Sequence, residues 1–331
     1  MPANNNYVQN TSGKVIKRFM QSKGLSLVDF PYKNSTASIR DKKKPLRHTT
    51  RTIGVVVHEL YSDFIKAALT GMQQVVVKWG YSLIILHSQE NMEKEVANVQ
   101  LMLDQQVDGL IASLSFGTNN LDHFRLFANG GAPVVFFDRV EKSSGNATVE
   151  IDNAGAGYAA TTHLIEQGCT RIAIVTSCLE RNVYHDRYTG YRQALDDHGI
   201  SFSDQYLVLK DLSREAGVEA AKQVLAMKER PDGLFITNDL VAAACMQTLM
   251  EEGLQVPNEM AIVGFNNDSI SRLTMPAITT IDYPGMEMGR RAAMILINNI
   301  RGTGSCMPQE TSVVPAGLIV RHSSLRNTDN Q

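Results

Sequence analysis

Cysteine is scarce in this chain. The four copies, Cys169, Cys178, Cys245 and Cys306, are widely scattered with no paired spacing. That excludes a disulfide framework and points to free thiols in a reducing cytoplasm. Long hydrophobic runs are missing too: nothing approaches the roughly 20 apolar residues that a membrane span needs. The first residues, Pro2 to Asn10, are polar, without the apolar stretch and small residues of a secretory signal. Enzyme signatures are equally thin. No Gly-x-Gly-x-x-Gly follows a strand pattern and no Gly-x-x-x-x-Gly-Lys-Ser/Thr occurs, so no nucleotide cradle is expected. There is no Gly-x-Ser-x-Gly elbow. The eight histidines are dispersed, none four residues from another and none in ligand spacing with a cysteine, so neither a metal site nor a cofactor is expected. His185-Asp186 has the form of a base pair, but a loop histidine beside an aspartate is ordinarily surface.

What the chain does have is an uneven charge. Up to Thr52 there are eleven Lys/Arg against Asp29 and Asp41, a surplus of +9, so a chain of net charge −2 carries −11 beyond that point. A basic segment on an acidic body suggests a polyanion partner for the segment and a different task for the body. At 331 residues, 43% hydrophobic and 20% charged, the composition is that of a globular protein with one large or two medium domains.

From Ile53 onward short β-branched runs alternate with longer amphipathic ones. Strands are expected at 53–57, 82–87, 109–112 and 133–137, with helices at 62–79, 93–106 and 120–128 between them. A second round follows Thr148-Val149-Glu150-Ile151-Asp152. There Asn153 is a candidate cap for a helix running to Gln167, and Gly168 is its stop. Strands at 171–176, 206–209, 233–237 and 261–265 then alternate with helices at 187–198, 215–228 and 240–252. Near-continuous apolar strands separated by helices imply an α/β fold of two doubly wound parallel-sheet lobes abutting near Asp152. Ligands of such sheets bind beyond the carboxyl ends of the strands, here the cleft between the lobes.

Polar residues gather at those strand ends. His87-Ser88-Gln89, Asp138-Arg139, Asn238-Asp239 and Asn266-Asn267-Asp268 each close a strand. Short amides and carboxylates can bond vicinal hydroxyls, and Arg181 and Arg187, in the loop expected after 171–176, offer forked donors to an oxygen-rich ligand. Each of these residues could equally be a helix cap or turn former, which strand–helix junctions need in any case. Their convergence on one cleft favours binding.

Several segments together resemble the lac repressor (LacI/GalR) family of bacterial transcriptional regulators. They are Thr52-Ile53-Gly54-Val55-Val56-Val57, Val107-Asp108-Gly109-Leu110-Ile111, Phe136-Phe137-Asp138-Arg139, Gly168-Cys169-Thr170-Arg171-Ile172-Ala173, Thr237-Asn238-Asp239, Val263-Gly264-Phe265-Asn266 and Thr279-Thr280-Ile281. They occur in the family's order and spacing from about Arg51 to Arg321. The resemblance implies a periplasmic-binding-protein-like fold with three crossover strands. It divides the chain into a basic segment 1–51, a first lobe 52–151 with 284–310, a second lobe 152–283 with 311–323, and a tail 324–331. It further implies a small-molecule effector, a sugar by the family's habit, flanked by Phe64 and held by Asp138, Arg187, Asn238 and Asn266. The 266 position is commonly Asp in the family. Leu212 stands where sugar- and purine-binding members often place an aromatic ring, and Tyr283 on the neighbouring crossover strand is the expected substitute. A cytoplasmic homodimer using helix 62–79 is implied as well.

The front of the chain departs from the family. Members begin with a helix-turn-helix carrying an Ala-Gly-Val-Ser turn and a recognition helix, and nothing of that kind occurs before Thr52. Val15-Ile16-Lys17-Arg18-Phe19-Met20 is similar to a third headpiece helix and Ala37-Ser38-Ile39-Arg40 to a hinge, so the segment reads as the remnant of a headpiece. Lys14, Lys17, Arg18, Arg40, Lys42 and Lys43 are its candidate DNA-phosphate contacts, giving salt-sensitive affinity without sequence choice. The expected function is a ligand-responsive transcriptional regulator and not an enzyme; the alternative is a sugar-binding sensor that never touches DNA.

Overall fold

The computed structural model describes residues 49–302 and 310–326. In the first lobe, strands β1 (Thr52–Val57), β2 (Ser82–His87), β3 (Gly109–Ala112), β4 (Val134–Phe137) and β5 (Ala147–Ile151) alternate with helices α1 (Asp63–Lys78), α2 (Met92–Asp104) and α3 (Asp122–Asn129). The second lobe opens with α4 (Asn153–Glu166), β6 (Ile172–Thr176), α5 (Asn182–Asp197) and β7 (Leu207–Leu209). It continues through α6 (Arg214–Leu225), β8 (Gly233–Ile236), α7 (Asp239–Glu251), β9 (Ala261–Asn266), α8 (Ser269–Leu273) and β10 (Thr279–Asp282). Helix α9 (Gly285–Arg301) and β11 (Thr311–Val314) return to the first lobe, and β12 (Gly317–Ile319) ends in the second.

The sheet orders are β11-β5-β4-β3-β1-β2 and β12-β10-β9-β8-β6-β7. All pairings are parallel except β10 with β12, an antiparallel edge. Strands β3, β4, β5, β6 and β8 are buried at every position, as sheets sandwiched between helical layers require. One device recurs in both lobes. Asp108, just before β3, accepts from the backbone N–H groups of Thr50 and Arg51 at 3.1 and 2.9 Å. Asp232, just before β8, accepts from those of Thr170 and Arg171 at 3.0 and 2.8 Å. Each carboxylate ties the start of a lobe's first strand to the start of its neighbour, which holds the register.

Three sequence expectations are corrected. Residues Thr311–Val314 pair with β5, from Thr311 opposite Thr148 to Val314 opposite Ile151, so they extend the first sheet and not the second. The chain changes sheet at Pro315, which has no N–H with which to continue the ladder. The cap of α4 is Asp152, whose Oδ1 accepts from Gly155 N at 2.8 Å, while Asn153 is already helical. Finally, α5 starts at Asn182, five residues before the expected start at 187. Arg181 occupies its cap position without a side-chain cap bond, so the sequence carries no start signal there.

Helices α4 and α5 lie unusually close. A Cβ at Gly190 would fall 1.9 Å from the Ala154 carbonyl oxygen, and one at Gly157 would fall 2.3 Å from that of Arg187. Among the described residues, no helix is long and apolar enough to cross a membrane.

Candidate ligand site between the lobes

The carboxyl ends of both sheets open onto one cavity of about 470 Å³. His58 and Glu59 follow β1 at its wall, Asp138 and Arg139 follow β4, Thr237 and Asn238 follow β8, and Asn266 ends β9. Asp138, Asn266 and Asn267 take positive φ values of 61°, 118° and 58°. These are the residue types that bear that conformation most easily, and it turns the chain sharply at the strand end.

Arg187, one turn into α5, is 3% exposed. Its Nε donates to Asn153 Oδ1 at 2.9 Å and its Nη1 to the Thr237 carbonyl at 3.2 Å. The guanidinium carbon lies 3.6 Å from the centre of the Phe265 ring. Burial lowers its pKa, opposed by the neighbouring Tyr283, Tyr184 and Asp138. Phe64 stacks on Tyr283 with ring centres 4.2 Å apart. Tyr283 Oη donates to Asp138 Oδ1 at 2.5 Å, and Ser113 Oγ donates to Asp138 Oδ2 at 3.1 Å. Burial raises the Asp138 carboxyl, with Arg139 and the Tyr283 hydroxyl pulling it back.

Five of the seven sequence candidates therefore stand around the cavity with their polar groups or rings turned to one another or to its walls: Phe64, Asp138, Arg187, Asn266 and Tyr283. Asn238 also lines it, with Oδ1 committed to capping α7 through the Leu240 and Val241 N–H groups at 2.9 and 3.2 Å. Arg181 does not line it: its Nη2 donates to the Thr118 carbonyl of the other lobe at 2.6 Å. Arg187 lies inside α5, five residues past its start, and not at the junction of loop and helix expected there. Tyr283 is 6% exposed, stacked on Phe64 and with the Arg187 guanidinium 5.1 Å from its centre, so it offers no open face for stacking. The exposed ring at the cavity wall is Tyr61, at 68%. Lys14, Lys17, Arg18, Arg40, Lys42 and Lys43 fall outside the described residues.

A second guanidinium, that of Arg139 just after β4, also lines the cavity, although it was expected only as a polar strand end and not among the residues holding the effector. Arg139 is 3% exposed; its Nη1 donates to both oxygens of Glu90 at 2.8 Å and its Nη2 to Tyr184 Oη at 2.9 Å. Burial works against its charge, but Tyr184, Glu90 and Asp138 outweigh that and raise its pKa. Tyr184 belongs to the second lobe, so this bond crosses the cleft. So do Val140 N to Asn182 Oδ1 at 3.0 Å and Ser269 N to Asp63 Oδ2 at 2.9 Å.

A family model for the periplasmic binding protein-like domain matches residues 161–324. The HTH-type transcriptional repressor PurR of Erwinia tasmaniensis is 32% identical over 276 residues, covering 83% of this chain and 80% of that protein. The chain belongs to the LacI/GalR family of transcriptional regulators. Solved structures of this fold include the transcriptional regulator CelR in complex with cellobiose, with a TM-score of 0.77 and 24% identity over 96% of this chain and 92% of that one. Another is a LacI-family regulator from Enterococcus faecium with bound ribose, with a TM-score of 0.73 and 24% identity over 82% of this chain and 98% of that one. At these identities the two show a common fold. The family's curated relatives are transcriptional repressors and not enzymes. In this LacI/GalR chain, the seven recurring segments include the turns that follow β4 and β8 and the final residue of β9. Glu90 and Tyr184 lie outside all of them, which is why motif reading did not reach them.

Proposed function

We propose that the chain binds a sugar in the cavity between its lobes and couples that event to DNA binding as a homodimer. The observation that carries the reading is the set of polar atoms around the cavity that the protein leaves unspent. Arg187 Nη2 and Asn238 Nδ2 are donors, and Asn266 Oδ1 is an acceptor, each without a protein partner among the described residues. Donors beside acceptors match the vicinal hydroxyls of a sugar, which both give and take hydrogen bonds. Phe64, Asp138 and Tyr283 complete the proposed wall, whereas Arg181 acts as a strut between the lobes. The cellobiose and ribose complexes among the structural neighbours add support for the ligand class.

Coupling follows from the two-lobed geometry. A ligand that touches both lobes stabilises one relative orientation of them, and a dimer transmits that orientation to its DNA-binding arms. The apolar face of α1 is already buried on α9, with Val77 as its one strongly exposed large apolar side chain among the described residues. Leu273 and Met275, 79% and 87% exposed, support a partner face on the second lobe as well. The basic segment 1–51 supports phosphate contacts by Lys14, Lys17, Arg18, Arg40, Lys42 and Lys43.

The test is the melting temperature of the full chain with a panel of mono- and disaccharides that includes ribose and cellobiose. A sugar at about 100 times its dissociation constant adds about 2.7 kcal/mol to stability and raises the melting temperature accordingly. Arg187→Ala and Asn238→Ala should abolish the shift; if both leave it intact, the site lies elsewhere. Labelled DNA at low salt tests the second half. Affinity that falls on Lys42→Gln with Lys43→Gln supports the regulator, and no affinity for any DNA leaves a sugar-binding sensor.

A further inference from the structure

The cavity is more acidic than a neutral ligand requires. Six carboxylates line it against two guanidiniums, and one of those, Arg139, is already gripped by both oxygens of Glu90. His58 adds no charge at neutral pH, because burial and the Arg139 cation hold its pKa well below the usual value. The acid is concentrated where the first-lobe residues Glu59 and Asp63 face the second-lobe residue Asp268. Glu59 is satisfied locally by the N–H groups of Tyr61 and Ser62 and by the Ser62 hydroxyl. Asp63 takes Ser269 N and Oγ across the cleft and Lys66 from outside.

Asp268 differs from both. It is 8% exposed, its Oδ2 receives only the Asn266 amide at 3.1 Å, and its Oδ1 is buried with no hydrogen-bond partner among the described residues. A buried carboxylate oxygen without a donor carries an unpaid desolvation cost. No cationic side chain of the described residues bonds to it; Lys66 reaches Asp63 instead. A metal ion is a poor candidate, since no group of three or more His, Cys, Asp or Glu side chains among the described residues converges to hold one.

We propose that the effector carries a protonated amine, set against Asp268 and between it and the first-lobe carboxylates Glu59 and Asp63. The inference rests on the sugar reading above and narrows it to an amino sugar. An ammonium group supplies the donor that Asp268 Oδ1 lacks and relieves the repulsion between carboxylates of opposite lobes. Its binding therefore also draws the lobes together. Phosphorylated and acidic sugars are excluded by the same charges. Burial, with the nearby Asp63 and Glu59 charges adding to it, pushes the Asp268 carboxyl up to about 6, so it is still predominantly ionised at neutral pH and available to an amine.

Calorimetric titration of the full chain with matched pairs tests this: glucose with glucosamine, galactose with galactosamine, mannose with mannosamine, and 1,4-diaminobutane as an amine that is not a sugar. An amine in a charge-assisted bond should bind about tenfold or more tighter than the hydroxyl it replaces. Asp268→Asn, nearly isosteric, should bring the affinity of each amino sugar down to that of its parent sugar. Parent sugars that bind without any amine preference, or a preference that survives Asp268→Asn, overturn the inference and leave the sugar reading standing. Diaminobutane binding that is lost in Asp268→Asn, with no response to any sugar, upholds the amine site and overturns the sugar reading. No response to either class overturns both.

Discussion

Asp239 illustrates how far one buried side chain can shape the behaviour of the site. It is fully buried at the start of α7, where its Oδ2 accepts from Asp268 N and its Oδ1 from Thr280 Oγ1, both at 2.8 Å. A Cβ on Gly264 would come within 2.2 Å of Oδ1, so only glycine leaves room for the carboxylate beside β9. Burial, with the Asp268 charge adding to it, pushes its pKa up to about 8. The folded pKa therefore lies above the unfolded one near 3.9. Between about pH 4 and about pH 8 the folded state holds a proton that the unfolded state has released, so this group's contribution to stability declines as pH rises through that window. Asp239→Asn cannot ionise. Its stability relative to the wild type should improve steadily from about pH 4 to about pH 8, by at most about 1.4 kcal/mol per pH unit. Urea unfolding at several pH values measures it, and a difference that does not change with pH would show that Asp239 is ionised in the folded chain. At this scale the candidate site was half visible in advance. Asp138, Asn238 and Asn266 close strands and announce themselves, while Glu90 and Tyr184 gain their meaning only when folding brings each of them against Arg139.

Among the elements, α5 carries the most consequence. Its first turns bear Tyr184 and Arg187, and its position is set by contact with α4 at Gly157 and Gly190. Arg187 also donates to Asn153 at the start of α4, so the same helix pair that leaves no room for a Cβ aims the guanidinium at the cavity. Gly190→Ala would force the helices apart. The loss expected is about 1–3 kcal/mol, the usual range for overpacking a filled interior, together with weaker sugar binding. Chemical unfolding and titration of the variant check both, and a fully stable variant with unchanged affinity would mean that α4 and α5 can separate without moving Arg187. Helix starts were readable where a capping side chain exists, as at Ser62, Asn91 and Ser213. The start of α5 was missed because Arg181 spends its side chain on the opposite lobe and caps nothing.

For the whole molecule, the alternation of buried strands and amphipathic helices was enough to indicate two parallel sheets, because neither face of such a strand can meet water. The placement of Thr311–Val314 was not readable in that way. An apolar strand at a crossover suits either sheet, and only its ladder with β5 decides the matter. The two sheets present their carboxyl ends to each other, and bonds such as Arg139 to Tyr184 and Asp63 to Ser269 already span the gap. A ligand held there touches residues that are distant in sequence and belong to different lobes. Hydrogen exchange with and without the sugar that gives the largest melting shift is the most direct measurement of that arrangement. Protection should appear together in 58–62 and 138–140 of the first lobe and in 183–187 and 266–270 of the second. Protection confined to one lobe, or to residues away from the cavity, would contradict binding between the lobes.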